Sequence, residues 1–447
     1  MVGACRSSGP AGGGPSPSVS AAPTPSAPVS TEWAEYHRDA GRSGAGPSDP
    51  GLSNPRVAWK VGVDGEVYAS PLIIAGHVIV ATENNTVYSL DMFTGASVWS
   101  RHLGDPVDAS TLPCGNIRPV TGITATPAAD VASGRVYVVA FLRTYHHVLF
   151  ALSQTDGSVL WQQTIDPVGS DPRVQQLRGA LAIGSGFVYV PFGGLFGDCG
   201  AYHGYVVGVP LAGGPARTYR VPTATGAGIW APHGPTVAAD GSVYVVTGNA
   251  TSSASTFGYS DSVLQLSPDL STLRSYFAPA NWVTLNQRDT DLGSTGAVLL
   301  PDLGRVFVIG KDGVGYLLRA GDLGGIGGQV ASRRICSGAW GGTAWLGTMV
   351  FLPCADGLYA VSVSDSSIQV AWRADRPTLS PPITAAGGLW GIDAATATLY
   401  AFDPATGKTL YSTGIGAANR YSTPAATEGF VIMPAGRSVV AIDVVGA

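Results

Sequence analysis

The stretch "AFDPATGKTLY", Ala401 to Tyr411, decides the fold because nearly the same phrase occurs twice more. It returns as "SLDMFTGASVW", Ser89 to Trp99, and as "ALSQTDGSVLW", Ala151 to Trp161. In all three, a small residue and a terminal aromatic stand ten positions apart, and the turn glycine keeps its offset. A phrase repeated along a chain indicates one supersecondary unit that is copied and stacked.

The composition favours short strands over helices. The chain has 447 residues with 61 glycines and 32 prolines, and these are spread along its whole length. Such spacing interrupts helices everywhere and suits many short strands that are joined by turns.

From Arg56 onward the chain divides into units of about forty residues, each of which reads as four short strands. The second strand of each unit is the clearest, because it is a run of β-branched and aromatic residues beside a glycine turn. These runs begin at His77, Arg135, Phe187, Ser242, Arg305, Thr348, Gly388 and Gly429. Eight such units predict an all-β, eight-bladed β-propeller of four-stranded blades.

The chain ends predict how the propeller closes. The last unit supplies three strands, and "RVAWKVGV" near the start resembles an outer blade strand, with Trp59 where Trp99 stands in its own unit. We expect this N-terminal strand to complete the last blade and so remove an open sheet edge. The terminal aromatic of each phrase is expected to pack against the neighbouring blade.

The first residues have a different character. Residues 1–31 are rich in Ser, Pro, Gly and Ala, which predicts a disordered tether. Its "VGAC", ending at Cys5, resembles the end of a bacterial lipoprotein signal, and the alternative is an ordinary start followed by a floppy tail. Residues 32–55 are interpreted as a lead-in segment, and residues 56–447 as one propeller.

Charge and hydropathy narrow the range of partners. The net charge is −5 and no basic run occurs, so we expect no nucleic acid partner. No apolar stretch reaches the roughly 18 residues of a membrane span, so membrane contact is expected only through a lipid on Cys5. A small molecule or a protein at the propeller rim is the expected partner, in an extracytoplasmic protein that is attached to the cell envelope or secreted.

Four long polar loops are predicted to meet on one face of the propeller. Propeller topology places links between blades and turns between second and third strands on the same face. Long irregular loops more often serve binding than stability. The loops are residues 104–122, 192–204, 248–262 and 279–293.

The repeated pattern A-x-D-x-x-T-G-x-x-x-W is similar to the repeat of the pyrroloquinoline-quinone (PQQ) propellers. This superfamily includes quinoprotein alcohol and methanol dehydrogenases, and also the non-enzymatic lipoprotein of the outer-membrane barrel assembly machinery. The resemblance covers Arg56 to Ala447. It implies the fold strongly and quinone binding only weakly.

Four residues fit the quinoprotein dehydrogenases by resemblance. "GAGIW" ending at Trp230 resembles the strand whose tryptophan lies beneath the quinone, and "VTGN" ending at Asn249 resembles a stretch with a calcium ligand. "DTDLGSTGAVLL" resembles the segment of the catalytic base, which implies Asp291 as base and metal ligand. "GKDGVGYLL" implies Lys311 as a cofactor-binding residue. Asn249 and Lys311 also suit ordinary strand turns.

If the resemblance extends to function, PQQ and calcium are the implied cofactors. Calcium prefers six to eight oxygen ligands and would make the quinone a better hydride acceptor. Asp291 would take the alcohol proton, and Lys311 would stabilise charge on the reduced ring. Asp289 could help Asp291 to bind a cation, although a solvated loop pair is commoner. His203 and His233 are interpreted as hydrogen-bonding loop residues.

The departures from the family are equally clear. The dehydrogenases have adjacent cysteines over the quinone, whereas this chain has a single Cys114, with Arg118 close to the position of a cofactor-binding arginine. Cys199 stands at or beside the position of the calcium-binding glutamate, and Asp198 is the carboxylate nearby. The haem motif C-x-x-C-H is absent.

The cysteines predict two disulfides. If Cys5 is lipidated, four cysteines remain, and an even set outside the cytosol favours disulfide bonds. Cys336 and Cys354 flank a strand hairpin of the sixth blade, which leaves Cys114 to pair with Cys199.

The sequence thus supports two functions. The first is a membrane-tethered propeller that binds a ligand or a protein and has an incomplete quinoprotein site. The alternative is a PQQ- and calcium-dependent dehydrogenase that oxidises an alcohol or sugar. A hydrolase is remote, because the sequence has no nucleophile elbow or paired carboxylates at a readable spacing.

Overall fold

The computed structural model describes residues 1–3, 32–251, 256–374 and 379–446. Cys5 and nearly all of the predicted tether lie outside the described residues. Residues Thr31–Ala447 form one compact unit. Its described strands form the predicted eight-bladed β-propeller, in which each blade is a four-stranded antiparallel meander.

In the first four blades the strands run from the innermost to the outermost in chain order. Blade one has Leu72–Ile74, His77–Ala81, Thr86–Asp91 and Ser97–His102. Blade two has Ala128–Asp130, Arg135–Leu142, His146–Ser153 and Val159–Thr164. Blade three has Ala182–Gly184, Phe187–Gly194, Tyr205–Pro210 and Arg217–Arg220, with Gln175–Gln176 added to its second strand. Blade four has Thr236–Val237, Val243–Val246, Val263–Leu266 and Leu273–Ala278, with Gly325–Ile326 pairing in parallel outside it.

The other four blades follow the same order, except that the outermost strand of blade eight is the N-terminal strand. Blade five has Val298–Leu300, Arg305–Ile309, Val314–Arg319 and Ala331–Arg334. Blade six has Ala344–Leu346, Met349–Cys354, Gly357–Val363 and Ile368–Arg373. Blade seven has Ile383–Ala385, Gly388–Asp393, Thr398–Phe402 and Thr409–Gly414. Blade eight has Ala425–Thr427, Phe430–Pro434, Ser438–Asp443 and the N-terminal strand Arg56–Gly62.

Little of the described chain lies outside the blades. A two-stranded ribbon, Val107–Asp108 with Val120–Thr121, lies in the link between blades one and two. The α-helix Trp282–Arg288 precedes blade five, and 3-10 turns cover Ala109–Thr111, Val131–Ser133, Leu292–Ser294 and Pro301–Leu303. Within the described residues, no helix combines the length and the apolar character that a membrane span requires.

The predicted closure is confirmed. Strand Arg56–Gly62 pairs antiparallel with Ser438–Asp443, with Lys60 opposite Val440. The sheet that contains the chain's last strand is therefore finished by its first strand.

The repeated phrase has a packing explanation. Three outer-strand tryptophans, Trp59, Trp99 and Trp372, each lie on the turn glycine of the next blade and donate through the indole Nε1 to a backbone carbonyl beside that turn. Trp161 lies beside Gly213 in the same way, but its Nε1 has no partner among the described residues. Trp59 donates to Met92 O at 2.9 Å, and Trp99 donates to Gln154 O at 3.0 Å. The turn glycine Gly95 has φ +71°, and a Cβ there would lie 2.8 Å from the Trp59 ring. Only glycine both adopts this turn and leaves room for the ring.

The lead-in residues fill the central channel, which the sequence did not indicate. We call residues 32–50 the axial segment. It exchanges backbone hydrogen bonds with innermost strands around the ring: with Ile73, Ala129, Val237, Trp345 and Thr384. Its side chains Trp33, Tyr36, His37 and Arg42 are at most 1% exposed. The part of the central channel that the axial segment occupies is therefore a packed core rather than a pore.

Candidate functional site

Three of the predicted residues, Trp230, Asp291 and Lys311, meet at one place in the structure. The indole Nε1 of Trp230 donates to Asp291 Oδ2 at 2.9 Å. The ammonium of Lys311 lies 3.3 Å from the same Oδ2 and 2.8 Å from Asp289 Oδ1. It also lies 5.5 Å from the centre of the Trp230 ring. We call Trp230, Asp291, Lys311 and Asp289 the axial site.

Glycines allow this close approach. A Cβ on Gly248 would lie 2.9 Å from Trp230 Nε1 and 3.1 Å from Asp291 Oδ2, in the middle of the hydrogen bond. A Cβ on Gly310 would lie 2.5 Å from the backbone oxygen of Asp291. That oxygen accepts from Lys311 N at 2.8 Å, so the two charged residues are joined by main chain as well as by side chain.

Asp291 is a buried acid with one free oxygen. It is 2% exposed, and its Oδ1 has no hydrogen-bond partner among the described residues. Burial raises the pKa of Asp291 to about 6; Lys311 opposes this rise, and Asp289 adds to it. Burial lowers the pKa of Lys311, but Asp291 and Asp289 outweigh burial and leave it above its usual value. An unsatisfied buried oxygen is costly, so this atom is suited to a ligand.

A second buried carboxyl, Asp261, lies behind Asp291 and was missed by the sequence analysis. It is fully buried, its Oδ1 accepts from Leu292 N at 3.1 Å, and its Oδ2 has no partner in the described chain. Burial, and next the charge of Asp291, raise its pKa well above the usual range. The stretch "YSDS" has the composition of an ordinary turn, so the sequence carried no signal for it.

The three predicted metal ligands, Asp198, Asn249 and Asp291, have separate hydrogen-bond partners. Asp198 is exposed, and its Oδ1 accepts from the Tyr202 hydroxyl at 2.6 Å. Asn249 is half-buried, and its backbone oxygen accepts from Ala227 N at 2.7 Å. Within the described residues, no hydrogen bond or ion pair links Asp198 to Asn249 or Asp291. Burial is the largest cause of the raised Tyr202 pKa, and the charges of Asp198 and Asp291 raise it further.

Arg118 is placed elsewhere. It is exposed, its Nη1 donates to Ala109 O at 3.2 Å, and it lines an open cleft of about 630 Å³. Lys60, Glu66 and Arg437 line the same cleft. None of the contacts of the described residues joins Arg118 to Trp230, so its role in cofactor binding stays a prediction from the resemblance.

Both predicted disulfides are present. Cys114 pairs with Cys199, with their Cα atoms 6.1 Å apart, and Cys336 pairs with Cys354 at 6.3 Å. The first bond joins the loop between blades one and two to the loop inside blade three that carries Asp198. Cys336 lies in the link just before blade six rather than on its first strand. The two isolated histidines make hydrogen bonds as predicted: His203 contacts Arg220, and His233 contacts Thr236.

The comparisons with known proteins agree with this architecture. A family model described as outer membrane protein assembly factor BamB matches residues 53–256. The quinohemoprotein alcohol dehydrogenase from Comamonas testosteroni superposes with a TM-score of 0.73 and 15% identity, over 93% of this chain and 81% of that one. Both comparisons agree with the resemblance of the repeat to the PQQ-like β-propellers, and the superposition establishes the shared fold.

Two further solved structures resemble this propeller. A europium-containing methanol dehydrogenase gives a TM-score of 0.71 at 15% identity, over 91% of this chain and 90% of that one. BamB from Moraxella catarrhalis gives 0.59 at 12%, over 87% and 99%. At these identities the structural likeness establishes the fold alone. No curated protein is similar enough in sequence to count as a match.

A third buried carboxyl, Glu83, makes the stability of the propeller depend on pH. Glu83 is 2% exposed, and burial raises its pKa from 4.5 to about 7. Its folded state therefore holds the proton more tightly than the unfolded chain. The stability it contributes is complete below pH 4.5 and is lost as the pH rises to about 7. Burial raises the Glu35 pKa to about 7 as well, which adds a similar slope.

We expect Glu83→Gln to raise the free energy of unfolding at pH 8 by about 1–3 kcal/mol, because the side chain at this buried position no longer has to ionise. The amide oxygen can still accept from Gly122 N, as Glu83 Oε2 does at 2.6 Å. Urea unfolding at pH 4.5 and pH 8 measures the change. The difference between the two pH values should shrink without vanishing, since Glu35, Asp291 and Asp261 keep their own parts. An unchanged difference would show that Glu83 does not titrate in this range.

Proposed function

We propose that this chain is an extracytoplasmic ligand-binding propeller whose axial site takes a planar, anionic quinone of the PQQ class. The observation that carries the proposal is the meeting of Trp230, Asp291 and Lys311 within hydrogen-bonding and stacking distance. An aromatic face, a cation above it and a buried acid with a free oxygen are what a flat polar anion needs. Two disulfides support a place outside the cytosol. Attachment through a lipid on Cys5 belongs to the same proposal and rests on "VGAC" alone.

The residues present fit the cofactor in part. Asp291 Oδ1 is an unpartnered buried oxygen, and the Asn249 side chain makes no hydrogen bond to a described residue, so both could ligate calcium. Trp230 would stack on the quinone, and Lys311 would hold negative charge on its oxygens. When bound, PQQ with calcium supplies a hydride acceptor. Asp198 is bonded to Tyr202, and the vicinal cysteines are absent, which favours binding over turnover.

Alcohol or sugar oxidation is the second candidate function. The specific observation in its favour is Asp291, whose raised pKa of about 6 leaves a carboxylate with real basicity at neutral pH. Its free Oδ1 would accept the hydroxyl proton of a substrate. The neighbouring Lys311 ammonium would then stabilise the negative charge that develops in the site.

Calorimetric titration with PQQ in the presence of calcium tests the proposal. We expect saturable binding, and a loss of affinity of about fivefold to a hundredfold in Trp230→Ala, because one stacking surface is removed. Trp99→Ala is the matched control, since Trp99 packs on Gly157 between outer strands, outside the axial site.

A dye-linked oxidation assay then separates the two candidate functions. Binding without oxidation supports a binding protein. Oxidation that Asp291→Asn abolishes, with PQQ affinity retained, supports the dehydrogenase. Absence of binding at high micromolar PQQ would contradict both, and would direct attention to protein partners at the rim.

A further inference from the structure

Arg178 presents its guanidinium to a small cavity that it lines together with Tyr36, Tyr68 and Tyr421. It precedes the innermost strand of blade three, and its guanidinium carbon lies 5.9 Å from the Tyr68 ring centre and 5.3 Å from that of Tyr421. Within the described residues the guanidinium makes no hydrogen bond and no ion pair. Its donors are held in place by two aromatic rings and are left free to meet a ligand.

The charge of Arg178 is not balanced by its surroundings. Burial lowers the pKa of Arg178, and the acid that acts on it is Glu83. Glu83 forms no ion pair with Arg178 within 4 Å, its Oε2 accepts from Gly122 N, and its Oε1 is unpartnered. Arg178 is half-buried, and a partly desolvated cation without a counter-charge favours an anion that shares its site.

Arg178 lines this small cavity beside Tyr36, Thr124 and Thr126. Its volume of about 10 Å³ has room for about one oxygen atom of an acid group. Arg420 and Tyr421 line both this cavity and a neighbouring cavity of about 380 Å³.

The neighbouring cavity is mainly apolar at its walls. Trp340, Pro353 and Leu379 line it. Asp393 also lines it, but its two oxygens already accept from Ala395 N at 2.9 Å and from Thr396 Oγ1 at 2.8 Å. A flat hydrocarbon body can therefore lie there without meeting a free carboxylate.

We propose that Arg178, assisted by Arg420, is an oxyanion subsite that binds the acid group of a small ligand whose planar body lies against Trp340 and Tyr421. The guanidinium fork suits carboxylate and phosphate alike. This inference rests on the proposed ligand-binding function, and it adds a subsite for an acid group beside Arg178, apart from the Trp230 face proposed for the quinone.

Calorimetric titration of the full chain with 2-naphthoate, and separately with inorganic phosphate, tests the subsite. We expect 2-naphthoate to bind, and its affinity to fall about tenfold or more in Arg178→Gln, because a charge-assisted pair is lost. Arg217→Gln is the matched control. Arg217 begins the outer strand of blade three and also lies over an aromatic ring, 5.7 Å from the centre of the Phe187 ring. Unlike Arg178, it forms an ion pair with an acid, Asp269. Binding of phosphate but not of 2-naphthoate, lost in Arg178→Gln, identifies a free oxyanion as the ligand.

A second comparison keeps the inference testable if Arg178→Gln does not fold. The native protein is titrated with 2-naphthamide, which has the same body and no charge; we expect its binding to be at least about tenfold weaker than that of the acid. Equal affinities for acid and amide, or for native protein and Arg178→Gln, would overturn the subsite. Naphthoate binding that needs Arg178, together with failure of PQQ to bind, would reject the quinone function alone.

Discussion

Replacing Arg42 by Met is expected to lower the free energy of unfolding by about 3–5 kcal/mol, because it breaks a buried ion pair from one side. Arg42 is fully buried in the axial segment. Its guanidinium donates to Glu35 Oε2 at 3.0 Å, to Pro235 O at 3.0 Å and to Leu181 O at 2.8 Å. Methionine fills a similar volume, so the loss reports these donors, and urea unfolding at pH 7 measures it.

Two other variants show what the stabilisation consists of. Arg143→Ala removes an exposed arginine, 78% open to solvent and 3.6 Å from Asp105, and should change stability by less than about 1 kcal/mol. Glu35→Gln should cost less than Arg42→Met, since burial already raises the Glu35 pKa to about 7 and the acid is partly neutral. An unfolding midpoint for Arg42→Met equal to that of Arg143→Ala would contradict the anchoring role of the axial segment.

The blades could be predicted from the sequence because each blade satisfies its own local rules. Three features recur at fixed offsets: a β-branched second strand, a glycine turn and a terminal aromatic residue. Each one is needed for the packing of its own blade. Gly95 must be glycine because Trp59 occupies the space that a Cβ would take. The pairing of Cys114 with Cys199 followed from the same frame, since blade topology alone brings their loops to one face.

The contents of the channel could not be predicted in this way. Arg42 is held by carbonyl oxygens of residues far away in sequence, Leu181 and Pro235, and no spacing encodes such a contact. Arg178 stands in "QLRGAL", which resembles an ordinary strand flank. Trp230 and Lys311 were found because short motifs of a known family carried them. Arg118 and Asp198 lie in long loops whose course depends on tertiary contacts, and no hydrogen bond or ion pair among the described residues joins either of them to Trp230.

Trp59→Ala is expected to cost about 3–5 kcal/mol, the range for a buried large aromatic. The side chain is 9% exposed, packs on Gly95 of blade one and donates to Met92 O. It also belongs to the strand Arg56–Gly62, which closes the ring. Chemical denaturation measures the loss, and limited proteolysis at the N-terminal side of blade one reports whether the strand detaches.

The matched control is Trp99→Ala, which removes the same kind of ring from its place on Gly157 in a blade formed by consecutive strands. Both variants lose a similar packing contact, so a difference between them isolates the contribution of closure. We expect protease cleavage near residues 62–70 in Trp59→Ala and not in Trp99→Ala, because only the closing strand can leave without unfolding a hairpin neighbour. Equal losses of stability with no cleavage in either variant would mean that the ring is held shut by the backbone ladder alone. Trp59→Phe keeps most of the apolar surface but cannot donate to Met92 O. We therefore expect it to lose much less stability than Trp59→Ala, and the loss that remains measures the hydrogen bond apart from ring packing.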